Sequence, residues 1–510
     1  MHSLFLYSFL VKRFQVTLAA LVLFVFASGC AVGPNFKRPD VPAVEGYTRE
    51  PLPAKTQSAQ IAGGEEQSFV QNLDIPNQWW TLFESPELNT LIEKALKGSP
   101  TLAAAQAALR QGRELLYAQQ GSFYPTVDAS FTPSRQLTSA VFSPPLTSPD
   151  LQYSLYTSQV GVSFIPDVFG GTRRQVESMR ALAEFQRFEL EAAHVTLSSN
   201  VVAAAVQEAS LRAQIAATKE IIAISVKSLE LLRRQFDLGY VARLDVAAQE
   251  SSLALVEQTL PPLEKQLEQT RDLLAALAGR FPSEDMEEKF EFSTLHLPNE
   301  LPVSLPSKLV EQRPDVRAAE EQLHSASAQI GVAVANMLPQ ITISAAIGGA
   351  STQINQMFAD SNPFWNVVGG ITQPLFAGGT LLHRKRAADA GFEQAAAQYR
   401  STVISAFQNV ADTLYALKSD VDNLKAALAA ENAAKLTLDL TLKQQQAGYV
   451  NYLSLLAAQQ AYQQALIIRV QAQANRFADT AALFQALGGG WWNHPNNSTA
   501  TPASEGSGHS

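Results

Sequence analysis

Apolar residues recur at two periods along this chain, and the change from one to the other marks its elements. Val403, Phe407, Val410, Leu414, Leu417, Val421, Leu424 and Leu428 follow a strict alternation of four- and three-residue steps. A mean spacing of about 3.5 residues is the seam of one helix packed along another. The pattern predicts a single helix of about 65 residues from Gly378-Gly379 to Gly448, which would rise about 100 Å. A weaker, alanine-richer counterpart runs from Gly170-Gly171 to Gly239, with Ile222, Val226, Leu229, Leu232 and Phe236 as its stripe. Beyond each break apolar residues return every seven positions. Val246, Leu253, Leu260, Leu267 and Leu274 form the first series, beside Val256, Leu263 and Leu277. Leu456, Val470, Phe477 and Phe484 form the second, with Gln463 in the missing place. Pro261-Pro262 is expected to kink or interrupt the first returning helix, because proline lacks the amide and crowds the preceding turn.

Elsewhere the period is two. Ile341, Ile343, Ala345 and Ile347 alternate with Thr342, Ser344 and Ala346, while Val127, Ala129 and Phe131 alternate with Thr126, Asp128 and Ser130. Each run predicts a strand with one apolar and one polar face. Return strands follow at 159–164 and 365–372 and end alike, in Pro166-Asp167-Val168-Phe169-Gly170-Gly171 and Pro374-Leu375-Phe376-Ala377-Gly378-Gly379. Helical stretches at 101–120 and 315–336, opened by Pro100 and Pro314, precede the first strand of each pair. The order helix, strand, strand, long helix, break, helix is therefore written twice. The breaks themselves match: Gly239-Tyr240-Val241 leads to Leu244 and Val246, and Gly448-Tyr449-Val450 leads to Leu453 and Leu455. Glycine supplies the positive φ that such a reversal needs.

These repeats divide the chain into a leader at 1–29, an extended segment at 30–84, repeats at 85–298 and 299–490, and a polar tail at 491–510 expected to be disordered. The proline-rich stretch 31–68 reads as a tether, and Trp79-Trp80-Thr81-Leu82-Phe83 as a packed entry segment before a helix opened by Ser85-Pro86-Glu87. The acidic run Glu284-Asp285-Met286-Glu287-Glu288 reads as a solvated loop. The fold class is α+β with four amphipathic strands per chain.

Only 17% of residues are charged, against about 25% in soluble domains, and the net charge of −9 offers no footprint for nucleic acid. Lys12-Arg13, the apolar run 14–27 and Ser28-Gly29-Cys30 resemble a bacterial lipoprotein leader. Ala27 stands where such leaders carry Leu, with Phe26 one place earlier. Cys30, the one cysteine, would then be the acylated first residue of the mature chain, and no disulfide is available. Ala31 beside it implies, by the rule for such lipoproteins, sorting to the outer membrane. After Cys30 no apolar run approaches the roughly 18 residues of a membrane helix, so any crossing falls to strands. Four strands cannot close a barrel. An open edge in lipid strands backbone groups at several kcal/mol each, so the chain must oligomerise, and about twelve strands from three copies would leave room for water.

With these features in order, the chain resembles the TolC/OprM-type outer-membrane factors, in particular the NodT-like lipoprotein branch. The resemblance rests on Cys30-Ala31-Val32-Gly33-Pro34-Asn35, Trp79-Trp80, Ser99-Pro100, Arg313-Pro314-Asp315, Pro374-Leu375-Phe376, Gly448 and Leu487-Gly488. It implies a homotrimer with a 12-strand barrel in the outer membrane and an α-helical tunnel across the periplasm. Its tip would open on a periplasmic adaptor and an inner-membrane pump of the resistance-nodulation-division type. Asp245 matches an acidic tip position of the family, whereas Ser454 and Ala457 stand where relatives carry Asp in the second hairpin. Arg243, Tyr240, Tyr449 and Tyr452 complete a candidate gate around Gly239 and Gly448.

No catalytic or metal-binding motif is visible, so neither an enzyme nor a cofactor is expected. His194, His324 and His383 read as polar surface positions. Arg173-Arg174 and His383-Arg384-Lys385-Arg386 follow the glycine pairs at helix N-termini, where the macrodipole disfavours cations. A compensating anion is expected there, with outer-membrane phospholipid headgroups as the candidate and a solvated face as the alternative. Within the channel class, an exit duct for type I protein secretion is the other reading. A periplasmic coiled-coil scaffold could use the same heptads but not the strands.

Overall fold

The structure is a computed structural model and describes residues 31–44, 46–137, 152–284 and 286–494; Cys30, Asp285 and the chain beyond His494 lie outside these. In chain order its elements are β1 (Ser68–Gln71), α1 (Pro86–Gly98), α2 (Pro100–Gln120), β2 (Thr126–Leu137), β3 (Gln152–Phe164), α3 (Gly171–Asp237) and α4 (Arg243–Leu277). They continue as β4 (Glu300–Val303), α5 (Pro306–Gln312), α6 (Pro314–Ala335), β5 (Gln340–Ser351), β6 (Pro363–Thr372), α7 (Thr380–Gln446) and α8 (Tyr452–Ala486). Two compact units result: one from residues up to 38, 109–185 and 319–399, the other from 39–108, 186–318 and 400 onward.

The first unit carries a four-stranded antiparallel sheet in the order β2-β3-β5-β6. Both hairpins occur where alternation predicts them, although β3 begins at Gln152 rather than 159. The early part of β3 hides because Tyr153 and Leu155 fall out of phase with Val160 and Val162, so no clean alternation survives there.

The second unit holds the small β1–β4 sheet and is otherwise mostly helical. α3 and α7 are each 67 residues long, matching the predicted lengths. Along α7 the 4-3-4-3 stripe is the packed face: Val410, Leu414, Leu417, Val421 and Leu424 are buried. The stripe assigned to α3 needs correction. Leu229 and Leu232 are buried and Ile222 packs against the same core, as the stripe predicts, but Val226 and Phe236 are exposed, and Ile221, Ser225 and Ser228 face inward in their place. Serine makes this face hard to see, yet it is tied by amides: Gln249 Nε2 donates to the Ser225 carbonyl at 2.7 Å and Gln459 Nε2 to Ser228 Oγ at 3.2 Å. α4 continues through Pro261 and Pro262 without interruption. Both prolines are exposed, so the carbonyls they leave unbonded can face solvent.

The segment read as a tether is extended but packed. β1 pairs in parallel with β4, joining the N-terminal segment to the start of the second repeat. Arg476, 1% exposed, donates to the Glu65 carbonyl, and Phe292 stacks on Phe477 with centroids 5.6 Å apart. Trp79 and Phe83 are fully buried, Trp79 stacking on Phe484 at 5.3 Å. Two loop expectations need correction at particular residues. In the acidic run Met286 is buried and Glu288, also buried, pairs with Lys94 at 2.5 Å. After the second repeat, Trp491 packs edge-on to Phe188 at 5.6 Å and Asn493 bonds Asp74 at 2.9 Å, so order persists to His494. Both depend on partners distant in sequence.

Candidate functional site

Register places the strand side chains in rows. Val127, Val162, Ala345 and Val367 lie directly across from one another, as do Ala129, Val160, Ile347 and Trp365. Phe164, Ile343, Ile341 and Ile371 extend the same face, and Asp128, Gly161, Ala346 and Asn366 form a row of the opposite one. The apolar face is uncovered: Val127 is 65% exposed, Ile347 64% and Trp365 76%. An apolar face bare to its surroundings on an amphipathic sheet is the arrangement of a strand in lipid. The outer edges of β2 and β6 carry no strand among the described residues. No described helix is long and apolar enough to cross a membrane.

The breaks are helix C-caps of one kind. Gly239 has φ +77°, its amide donating to Phe236 O while the Tyr240 amide donates to Gln235 O. Gly448, also at +77°, repeats this with Gln445 and Gln444. The paired bonds are a Schellman motif, which requires the left-handed conformation glycine adopts freely. Tyr240 and Tyr449 are strongly exposed, and the Arg243 guanidinium lies 5.9 Å from the Phe236 ring. Tyr452 is buried in a core shared by both hairpins with Leu232, Val246 and Leu438. Burial, then the Asp245 charge, pushes its hydroxyl pKa up. Asp245 also accepts the Ala242 amide at 3.1 Å, stabilising the first turn of α4. In the second copy Asn451 does this work as N-cap, its side chain accepting the Ser454 amide at 3.0 Å. The two hairpins thus open their returning helices with different caps.

The basic clusters separate into unlike groups. Asp167 accepts the amides of Thr172 and Arg173 at 2.9 Å each and pairs with Arg173 Nε at 3.1 Å. It is the helix-terminal anion, supplied within the chain. Arg174 is 4% exposed and donates to Val32 O, Asn35 Oδ1 and Glu177, so the expectation that it meets headgroups is corrected. In the second copy Lys385 pairs with Asp389 at 2.7 Å, while Arg384 and Arg386 are exposed. Of the histidines, His383 is exposed, but His194 is half-buried, which lowers its pKa, with His494 adding to the effect. His324 is not a bare surface position either: its ring stacks on Phe36 and touches two carboxylates.

Residues 91–280 and 305–489 match the family described as outer membrane efflux protein. The chain is 30% identical over 451 residues to the pyoverdine export outer membrane protein OpmQ of Pseudomonas aeruginosa, covering 86% of this chain and 92% of that protein. It is 27% identical over 470 residues to the toluene efflux pump outer membrane protein TtgC of Pseudomonas putida, covering 91% and 93%. Among solved structures, the outer-membrane channel OprN superposes with a TM-score of 0.80 at 25% identity, covering 91% of this chain and 100% of that one. The CmeC outer membrane channel of Campylobacter jejuni gives 0.80 at 21% identity, covering 92% and 97%. With both repeats matched and 86% of the chain aligned to a relative 30% identical, this protein belongs to the outer membrane efflux protein family.

Proposed function

We propose that the chain is the passive exit duct of a tripartite, resistance-nodulation-division type efflux pump and works as a homotrimer. The observation that carries this is the four-stranded sheet with a bare apolar face and two open edges. Antiparallel pairing of β6 with β2 of a second copy would repeat the internal β3–β5 pairing, and three copies would supply about twelve strands and a water-filled lumen. The 67-residue helices would line a tunnel through the periplasm, with the hairpin tips around Gly239 and Gly448 as its mouth and adaptor-facing end. Arg243, Asp245, Tyr240, Tyr449 and Tyr452 would hold the tip closed. Acylated Cys30 and exposed Arg384 and Arg386 would meet outer-membrane lipid, with the leader ending at 29 and the repeats bounded at 85–298 and 299–490. The names of the relatives, which export pyoverdine or toluene, favour small organic cargo.

The test is outer-membrane fractionation followed by electrophoresis and single-channel recording. A heat-modifiable trimer that conducts, and that gains conductance in Arg243→Ala and Asp245→Ala variants, is expected. A monomer in the soluble periplasmic fraction would overturn the duct; variants that conduct like wild type would remove the gate assignment alone.

A further inference from the structure

At the foot of the sheet, residues 31–38 lie across both repeats. From the first repeat, Phe169 O accepts the Val32 amide at 3.0 Å, and Arg174 reaches Val32 O at 3.0 Å and Asn35 Oδ1 at 2.7 Å. From the second, Glu320 pairs with Arg38 at 2.9 Å and His324 stacks on Phe36, with centroids 4.3 Å apart and planes 13° from parallel. Contact is close enough to need glycine: a Cβ on Gly33 would lie 2.4 Å from Gly331 Cα. The imidazole is gripped on both nitrogens. Nε2 faces Glu177 Oε1 at 3.0 Å and Nδ1 faces Glu321 Oε2 at 3.4 Å. Carboxylates only accept, so a neutral ring satisfies one contact and sets a lone pair against the other, whereas the imidazolium donates to both. A cation also gains from stacking on Phe36.

We propose that residues 31–38 form a clasp across the two repeats whose grip is set by the charge on His324: closed when the ring is protonated, loosened when it is neutral. The charged groups that contact the ring are Glu177 from α3 and Glu321 from α6; beyond them, Arg174 of α3 pairs with Glu177, and Arg38 on the clasp pairs with Glu320 of α6. Arg174 Nη1 bonds Glu177 Oε2 and Arg38 pairs with Glu320, while Glu177 Oε1 and Glu321 Oε2 face His324. In keeping with this, the hydrogen bond to Glu321 raises the His324 pKa, with Glu177 adding to it and burial working against both. The sign follows. Because seating raises the pKa, the extra grip is complete below the ordinary histidine value of about 6.5 and disappears as pH climbs through the seated value.

Hydrogen exchange of the Val32 amide, which donates to Phe169 O, in the purified full-length protein tests this between about pH 5.5 and 8.5, after correction for intrinsic exchange. Protection in the wild type should fall with rising pH, by about tenfold for each unit by which seating raises the pKa. His324→Gln should exchange at the loosened rate at every pH. Glu177→Gln with Glu321→Gln should move the midpoint down, and Arg38→Ala should loosen the clasp at every pH without moving it. Protection that is flat with pH in the wild type, or an unmoved midpoint in the double variant, would overturn the proposal.

Discussion

Ile347 and Ala346 are neighbours in β5 whose side chains lie on opposite faces of the sheet. Ile347 lies across from Val160 and Trp365, and Ala346 across from Gly161 and Asn366. Both sit near the middle of a 12-residue strand, hence near mid-depth if the strand spans the bilayer. Arginine on the lipid face there costs about 2–4 kcal/mol per chain, falling to about 0–1 near the interfaces. In the proposed trimer three copies multiply this to about 6–12 kcal/mol, and even the lower bound is several decades in assembly equilibrium. Ile347→Arg should therefore abolish the outer-membrane trimer. Ala346→Arg should assemble, because glycine opposite it leaves room and the arginine remains in water, and it should reduce single-channel cation conductance. Ile341→Arg, on the same face but at the strand end, should assemble at intermediate yield. Trimer yield on unheated gels from isolated outer membranes reads all three. Loss of the Ala346 variant with survival of the Ile347 variant would reverse the assignment of faces, and equal yields would remove the sheet from lipid.

Phe484→Ala removes a fully buried ring stacked on Trp79 and should cost about 3–5 kcal/mol, measured by denaturant unfolding in detergent. Gly448→Ala should cost about 1–2 kcal/mol from backbone conformation alone, since a Cβ there meets nothing within 4 Å; a larger loss of stability would mean that the tip is covered. Burial, followed by Asp479, pushes the Asp420 carboxyl up to about 8, so its contribution to stability worsens as pH rises from about 4 to about 8. Asp420→Asn should accordingly raise the melting temperature at pH 7.5 and lose that advantage towards pH 4; a gain independent of pH would assign the effect to packing.

What could be read from the chain was whatever a local period encodes. The α7 stripe from Val403 to Leu428, the alternation at 341–347 and the prolines opening α2 and α6 each carry their answer within a few residues. That Pro261-Pro262 do not interrupt α4 could not be read locally, because the cost of a mid-helix proline depends on whether the orphaned carbonyls reach water, which is a matter of tertiary position. Val226 and Phe236 carry the apolar signal on α3, yet the neighbouring serine face is the buried one, because glutamines from α4 and α8 satisfy it. At the candidate sites, Gly239 and Gly448 were legible as breaks, since left-handed caps select glycine. Arg174, His324 and Glu288 were not. Each is defined by a partner more than a hundred residues away: Val32, Glu177 and Lys94.

The unpaired edges of β2 and β6 also bear on inheritance and expression. In a ring closed from three such sheets, every chain finishes two neighbours, and a chain able to pair on one side only still occupies a place. Substitutions that spoil the outer edge of β6 while sparing that of β2 should thus behave as dominant when co-expressed with the wild type, titrating intact subunits into dead rings. Substitutions that unfold the chain outright should be recessive, because they remove themselves from the pool.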